Sequence, residues 1–157
     1  MDIQNLGDIG YAAALAFSAV GSVFGTGISG LAAIGAWKRC ILQEKPIPFI
    51  LTAFVGAPLT QTIYGYILMN TIFELTQRTR QSGVGVENGI IMLAAGVLGG
   101  IAIGLSSYMQ GKAGAAASDA LAETGQGFGN FMMILGIIES VGLFVMIFLM
   151  VTLNKLM

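Results

Sequence analysis

The sequence has 157 residues, of which 55% are hydrophobic and 10% are charged, and its formal net charge is −1. Soluble domains carry about 25% charged residues, so this composition indicates an integral membrane protein. The lack of a basic surplus argues against nucleic acid as a partner, the lack of histidine excludes imidazole catalysis, and the single Cys40 cannot form an internal disulfide.

Charged residues divide the chain into four long apolar spans, and each exceeds the ~20 residues that cross a bilayer. The spans cover residues 9–37, 46–73, 88–111 and 124–154. The sequence therefore predicts one all-α membrane domain over residues 1–157 with both termini on the same side. No lysine or arginine precedes the first span, which argues against a cleaved signal peptide, so we expect the first helix to be retained.

The first span carries small residues at spacings of three and four, which place them on one helix face. Such faces let helix backbones approach closely in membranes, either in a simple helix pair or where many helices crowd around a narrow axis. We expect the second arrangement because the small residues are so dense. They are Ser18, Gly21, Ser22, Gly25, Ser29, Gly30 and Ala33.

A polar connection is predicted from Lys38 to Pro48, with Pro46 and Pro48 opening the second helix. Pro58 lies inside that helix, so it removes one hydrogen bond and predicts a kink. Backbone carbonyls near Ala57 then become available to a ligand.

Two polar residues, Thr60 and Gln61, follow the kink near the middle of the span. On their own they could merely hydrogen-bond a neighbouring helix. Together with the kink they indicate a binding site.

A polar, turn-like loop is predicted over Thr76–Gly83. The third helix resembles the first in its small residues. The strong helix-forming segment after Lys112 predicts that it continues to about Glu123, where Gly125 and Gly127 make the turn.

Glu139 is the only ionisable residue between Glu123 and Lys155, and it lies near the middle of the last span. A carboxylate at this depth costs at least ~2.5 kcal/mol and usually marks an ion or proton pathway. It needs a proton, a cation or a buried basic partner. The alternative is a permanently protonated side chain that only holds helices together.

Counting from the turn near Gly125, Gln110 and Glu139 lie at nearly equal distances, roughly 21–23 Å along their helices. The same count about Lys45 places Ser29 level with Gln61. We therefore expect Gln61, Gln110 and Glu139 in one layer.

The two halves of the chain look like tandem copies, over residues 9–76 and 87–154. In this alignment Gln61 falls on Glu139, and Ser29-Gly30 falls on Gln110-Gly111. Both hairpins run in the same direction, so this is a parallel repeat in which only the second copy carries the carboxylate.

With these features the sequence resembles the proteolipids, the c/K-type components of the membrane rotor ring, of V-type and A-type rotary ATPases. The resemblance covers essentially the whole chain and is most specific at Pro58–Gln61 with Tyr64, at Gln110-Gly111-Lys112 and at Glu139. It is closest to the sodium-translocating members. The chain departs from their pattern at Leu59, where glycine matches best, and at Ser140, where threonine is frequent.

The resemblance implies an ion site formed by Glu139, Gln110, Gln61, Thr60 and the Ala57 carbonyl, with a Tyr64 hydrogen bond to the carboxylate. Hard oxygen donors of this kind suit alkali and alkaline-earth cations. One carboxylate balances Na⁺ once, whereas Ca²⁺ would leave a buried positive charge. Two amides would be superfluous for a proton, so Na⁺ is favoured and H⁺ alone is the alternative.

The resemblance further implies a non-catalytic subunit that forms a ring with copies of itself. The expected partners are a stator membrane subunit with half-channels, central-stalk subunits and lipids. ATP hydrolysis or synthesis would occur in partner subunits, because the glycine runs are membrane packing and not phosphate-binding loops. The expected location is the cell membrane of a bacterium or an archaeon.

Two other functions remain possible from the residues alone. A small four-helix multidrug/proton antiporter also uses a membrane-embedded glutamate, and it would need an aromatic-lined cavity beside Glu139 for an organic cation. The aromatic residues of that helix are Phe131, Phe144 and Phe148. A purely structural four-helix proteolipid is the third option.

Overall fold

The computed structural model describes residues 6–82 and 86–156, and this part of the chain is helical without any strand. The prediction of an all-α fold with two consecutive hairpins is confirmed. Its elements are α1 (Leu6–Leu42), α2 (Leu51–Gly56), a 3₁₀ turn (Ala57–Leu59), α3 (Thr60–Ser82), α4 (Val86–Thr124) and α5 (Phe128–Leu156).

Among the described residues, three helices are long and apolar enough to cross a membrane: α1, α4 and α5. Four such spans were predicted. The remaining span, the second one in the chain, is present as a limb that consists of α2, the 3₁₀ turn and α3, but the break at Pro58 divides its apolar residues between two helices. The longer piece, α3, also carries polar residues such as Gln61 and Glu74.

The centre of the fold is the contact between α1 and α4, where glycines face backbone. A Cβ atom added at Gly21 would lie 2.2 Å from the Gly104 carbonyl oxygen, and one added at Gly96 would lie 1.9 Å from that of Gly10. Both distances are far below van der Waals contact. Glycine at these positions is therefore required for the two backbones to approach this closely.

The small residues of α1 thus pack against other helices of the same chain, while the expectation that many helices crowd around a narrow axis stays a prediction. The buried members of the stripe contact α4, α2, the 3₁₀ turn and α3. The members that are buried are Ser18, Gly21, Ser22, Gly25, Ser29 and Ala33, whereas Gly30 is half-buried.

The helix α3 lies across α1 and α4, while α5 packs on α4 and α3. Gly65 of α3 sits on Ser18 of α1, where an added Cβ would be 2.4 Å from the serine Cβ. A core of large apolar residues fills the end of the bundle near the C-terminus of α3, including Leu68, Ile72 and Met92. The outer face of α5 is exposed and strongly apolar, as a lipid-facing or partner-facing helix requires.

The predicted polar connection from Lys38 to Pro48 begins too early, because α1 continues to Leu42. Cys40 is buried, and Arg39 pairs with Asp119 and Glu123 of α4. These contacts hold the additional turn of α1 against α4. The two prolines do not open the next helix either, since α2 begins at Leu51.

The predicted loop over Thr76–Gly83 is also wrong for the described residues, because α3 continues to Ser82. Leu75 and Thr76 are buried, and Arg80 pairs with Asp8 at the start of α1. Tertiary contacts therefore maintain a helix that the polar composition did not predict. Gly83, the last residue of this predicted loop, lies outside the described residues. So do residues 1–5, on which the argument against a signal peptide partly depends.

The turn between α4 and α5 is confirmed. α4 continues to Thr124, and both Gly125 and Gly127 adopt positive φ angles, of 69° and 90°. The Gly125 N–H donates to the Leu121 carbonyl at 2.9 Å, which ends α4 in the manner of a left-handed C-terminal cap. The internal duplication over 9–76 and 87–154 stays a prediction.

Candidate ion-binding site

Pro58 breaks the second limb at the level of the candidate site. Because proline has no N–H, the Phe54 carbonyl loses its partner in the helix, and it accepts a hydrogen bond from the Ser29 hydroxyl at 2.9 Å instead. The chain tightens into the 3₁₀ turn Ala57–Leu59, and the Thr60 N–H donates to the Ala57 carbonyl. The interruption predicted at Pro58 is therefore present as a change of helix type.

Three oxygen atoms meet directly after this turn. The Thr60 Oγ1 atom lies 3.1 Å from the Ala57 carbonyl oxygen and 3.1 Å from Gln61 Oε1. A hydroxyl has one proton and can donate to only one of these oxygens at a time. These three oxygen atoms can therefore accept more hydrogen bonds than the single hydroxyl proton can supply, and lone pairs remain for a cation.

A chain of hydrogen bonds connects these oxygens to Glu139. Gln61 Nε2 donates to Gln110 Oε1 at 2.8 Å, and Gln110 Nε2 lies 3.4 Å from Glu139 Oε2. On the other side, the Tyr64 hydroxyl donates to Glu139 Oε1 at 2.7 Å. Thr60, Gln61, Tyr64, Gln110 and Glu139 therefore form one connected network, with the Ala57 carbonyl at its end.

Burial differs along the network. Gln61 and Gln110 are fully buried, while Glu139 is half-buried on the side of α5 that adjoins the rest of the bundle. The two amides are thus enclosed by protein, and the carboxyl group stands at the outer edge of the network. Such a site is closed on the protein side and accessible from the outer side.

Glu139 has no basic partner within residues 6–82 and 86–156, where the ion pairs involve other acidic residues. The described residues also contain no cluster of three or more Asp, Glu, His or Cys side chains that could hold a metal ion. A donor set with one negative charge and several neutral oxygens suits a monovalent cation better than a divalent one.

The predicted layer is confirmed for Gln61, Gln110 and Glu139, which lie within hydrogen-bonding reach of one another. Ser29 does not belong to it. It contacts Phe54, about two helical turns before Gln61 and roughly 10 Å away along the axis.

The count failed because residues 43–50 are not helical and advance faster along the bundle than the ~1.5 Å per residue of a helix. Trp37 marks this register, since its indole N–H donates to the Pro48 carbonyl at 2.9 Å.

The network has neighbours that the sequence reasoning missed. Ser107 donates to the Pro58 carbonyl at 2.7 Å and Ser106 to the Ile138 carbonyl at 2.8 Å, while Gln110 Nε2 also reaches the Leu135 carbonyl at 3.1 Å. The sequence contained a signal for both serines. Ser107 and Ser106 lie three and four positions before Gln110, and residues at these spacings share one helix face.

The aromatic side chains of α5 contact other aromatic rings. Phe144 and Phe148 stack on each other with centroids 5.8 Å apart and are exposed, and Phe131 packs edge-on against Phe54. An apolar groove between α4 and α5 is lined by alanines, Phe131, Ile134 and Leu135, and Glu139 is not among its lining residues. This geometry differs from an aromatic cage around the carboxylate.

Comparison with known proteins finds similarity to a protein family and to a curated protein. The family model for the C-type subunits of ATP synthase matches residues 93–152, which include Gln110 and Glu139. The A-type ATP synthase subunit K of Methanocaldococcus jannaschii is 31% identical over 129 residues, which are 82% of this chain and 52% of that protein. The chain thus spans about half the length of this relative.

Proposed function

Since the chain belongs to the c/K-type proteolipids of rotary ATPases, we propose that it is a rotor-ring subunit that carries Na⁺ across the membrane. The observation that supports this most is the network around Glu139. It combines one carboxylate with a hydroxyl, two amides and a backbone carbonyl at one level of the bundle. The proposed partners are copies of itself, a stator membrane subunit, central-stalk subunits and lipids.

The choice of Na⁺ rests on the two buried glutamines. Burying an amide is costly unless its polar atoms are satisfied, and a proton on Glu139 would need no more than one acceptor. Gln61 and Gln110 each have an oxygen that a cation can use, since an amide can turn its oxygen to the place of its NH₂ group. The proposed site residues are Thr60, Gln61, Gln110, Glu139 and the Ala57 carbonyl, with Tyr64 orienting the carboxylate.

In the proposed cycle, the ion is the cargo. The empty site carries one negative charge, which is costly at bilayer depth, and binding one Na⁺ removes that net charge. A rotor position with a loaded site is therefore free to pass along the lipid, whereas an unloaded one stays where a positive stator group or water compensates Glu139. ATP hydrolysis or synthesis takes place elsewhere in the complex.

The runner-up is a multidrug/proton antiporter that uses Glu139. Its expected aromatic cavity beside the carboxylate is not matched by Phe131, Phe144 or Phe148, which pack as described above. The geometry of the site favours a small inorganic ion over an organic cation.

The test uses a carbodiimide, which modifies the protonated carboxyl group of Glu139. If Na⁺ and protons compete for this group, NaCl protects it from modification, KCl protects much less, and protection weakens as the pH falls. Mass spectrometry of the intact protein measures the modified fraction. Gln110→Ala removes one oxygen donor, and the loss of about 1.4 kcal/mol of binding raises the Na⁺ concentration for half-protection roughly tenfold.

Labelling that depends on pH but not on Na⁺ would contradict the proposal and identify a proton-coupled rotor. In that case the two glutamines serve to hold helices together. A stable dimer in mild detergent, in place of a larger multimer, would instead favour the antiporter.

A further inference from the structure

Two adjacent serines of α4 hydrogen-bond in different directions, one towards each half of the proposed ion site. One half is formed by oxygens of the limb that consists of α2, the 3₁₀ turn and α3, and the other is the Glu139 carboxylate on α5. Ser107 is fully buried and donates to the Pro58 carbonyl at 2.7 Å. Ser106 is 7% exposed and donates to the Ile138 carbonyl at 2.8 Å. Neighbouring residues point about 100° apart around a helix, so one can face the α2–α3 limb and the other α5.

The Ser107 bond ends on the 3₁₀ turn that presents the oxygen donors. Pro58 separates Ala57, whose carbonyl is in the proposed donor set, from Leu59 and then Thr60. The Ser107 hydroxyl also lies 3.3 Å from the hydroxyl of Ser22 on α1. The Ser107 side chain thus attaches the 3₁₀ turn to α4. It does so where Pro58 removes a backbone hydrogen bond of the helix, so that the backbone alone does not fix the turn.

The Ser106 bond ends next to the carboxylate. Ile138 directly precedes Glu139, and the Gln110 amide reaches the Leu135 carbonyl one turn earlier. α4 therefore contacts α5 at two carbonyls beside Glu139. Through these bonds a single helix sets the separation between Glu139 and the oxygens of the α2–α3 limb.

We infer that Ser107, together with Ser106, is a positioning element that sets the distance between the two halves of the site and so its affinity for Na⁺. This inference rests on the proposed function. Neither hydroxyl is expected to contact the ion. The affinity of a site for a small cation depends strongly on the distances between its oxygen ligands. A site whose two halves can separate therefore binds Na⁺ less tightly.

The experiment compares carbodiimide labelling of Glu139 in assembled complexes that carry wild type, Ser107→Ala or Ser118→Ala. Ser118 is the matched control, because it is a fully buried serine of the same helix whose hydroxyl has no hydrogen-bond partner among the described residues. Ser107→Ala is expected to raise the Na⁺ concentration for half-protection roughly three- to tenfold, in line with the loss of one buried hydrogen bond. Labelling without Na⁺ at a fixed pH should stay at the wild-type rate, and Ser118→Ala should behave as wild type.

A midpoint for Ser107→Ala equal to that of wild type overturns the inference and leaves the proposed function intact. Wild-type labelling that ignores Na⁺ overturns both. If Ser107→Ala does not assemble, the Na⁺ concentration for half-protection is measured in Ser107→Cys and Ser106→Ala instead. A raised Na⁺ midpoint in these variants with unchanged labelling at zero Na⁺ supports the inference, and unchanged midpoints in both overturn it.

Discussion

Replacing Gly25 by leucine tests the contact between α1 and α4 on which the site depends. A Cβ atom at Gly25 would lie 2.4 Å from the Ser107 carbonyl oxygen and 2.9 Å from Pro58 Cβ. Ordinary contact begins at 3.4 Å, so α1 and α4 must separate by about 1 Å even for alanine. A gap of this size forfeits a quarter to a half of the contact energy of the atoms that line it.

The separation cannot stay local, because Gly10, Gly21 and Gly25 lie on the same helix and all contact the backbone of α4. Overpacking alone costs typically 1–3 kcal/mol, and the three remaining side-chain carbons of leucine add to it. This cost is a substantial share of the ~5–15 kcal/mol that keeps a typical domain folded. We therefore expect Gly25→Leu to prevent folding of the subunit and, as a consequence, assembly of the multimer.

The measurements are the amount of detergent-resistant multimer on gels and the resistance of the protein to limited proteolysis in membranes. Gly27→Leu is the matched control, since Gly27 is on the same helix and has no atom within 4 Å of its added Cβ. It should give a protease-resistant protein. A protease-resistant Gly25→Leu variant that forms the multimer in wild-type amounts would refute the reasoning.

Two further variants test the carboxylate. Glu139→Gln should abolish ion transport while the multimer still forms, because an amide keeps hydrogen bonds but cannot neutralise a cation; ATP-driven transport in membranes that contain only this variant would contradict the assignment. Tyr64→Phe removes the donor that lies 2.7 Å from Glu139 Oε1, a bond to a charged group worth about 1.5–3 kcal/mol. It should raise the carbodiimide labelling rate at fixed pH without Na⁺ and leave the multimer intact, and an unchanged rate would show that this hydroxyl does not hold the carboxyl group.

The sequence was sufficient to predict the second hairpin closely. Both of its helices are continuous, so a count of ~1.5 Å per residue from Gly125 places Gln110 level with Glu139, as the structure has them. The turn could be located because two glycines follow a long helix-forming segment. The same count failed in the first hairpin, where the connection is not helical and Ser29 meets Phe54.

The remaining errors came from contacts between distant parts of the chain. The polar residues after Leu75 suggested a loop, yet the pair Arg80–Asp8 joins the ends of α3 and α1. Similarly, Arg39 extends α1 by pairing across to α4. A hydropathy pattern carries no information on such pairs, because the partners are 72 to 84 residues apart.

The role of α1 in the site follows from its lack of large side chains. It supplies none of the proposed oxygen donors, yet Gly25 lets the Pro58 ring and the α4 backbone approach it together. Two of its hydroxyls act on backbone and serine partners beside the site, with Ser29 donating to the Phe54 carbonyl and Ser22 adjoining Ser107. A bulkier helix here would push α3 and α4 apart and break the 2.8 Å contact between Gln61 and Gln110. The glycine and serine content of α1 is therefore a requirement of the site as well as of the fold.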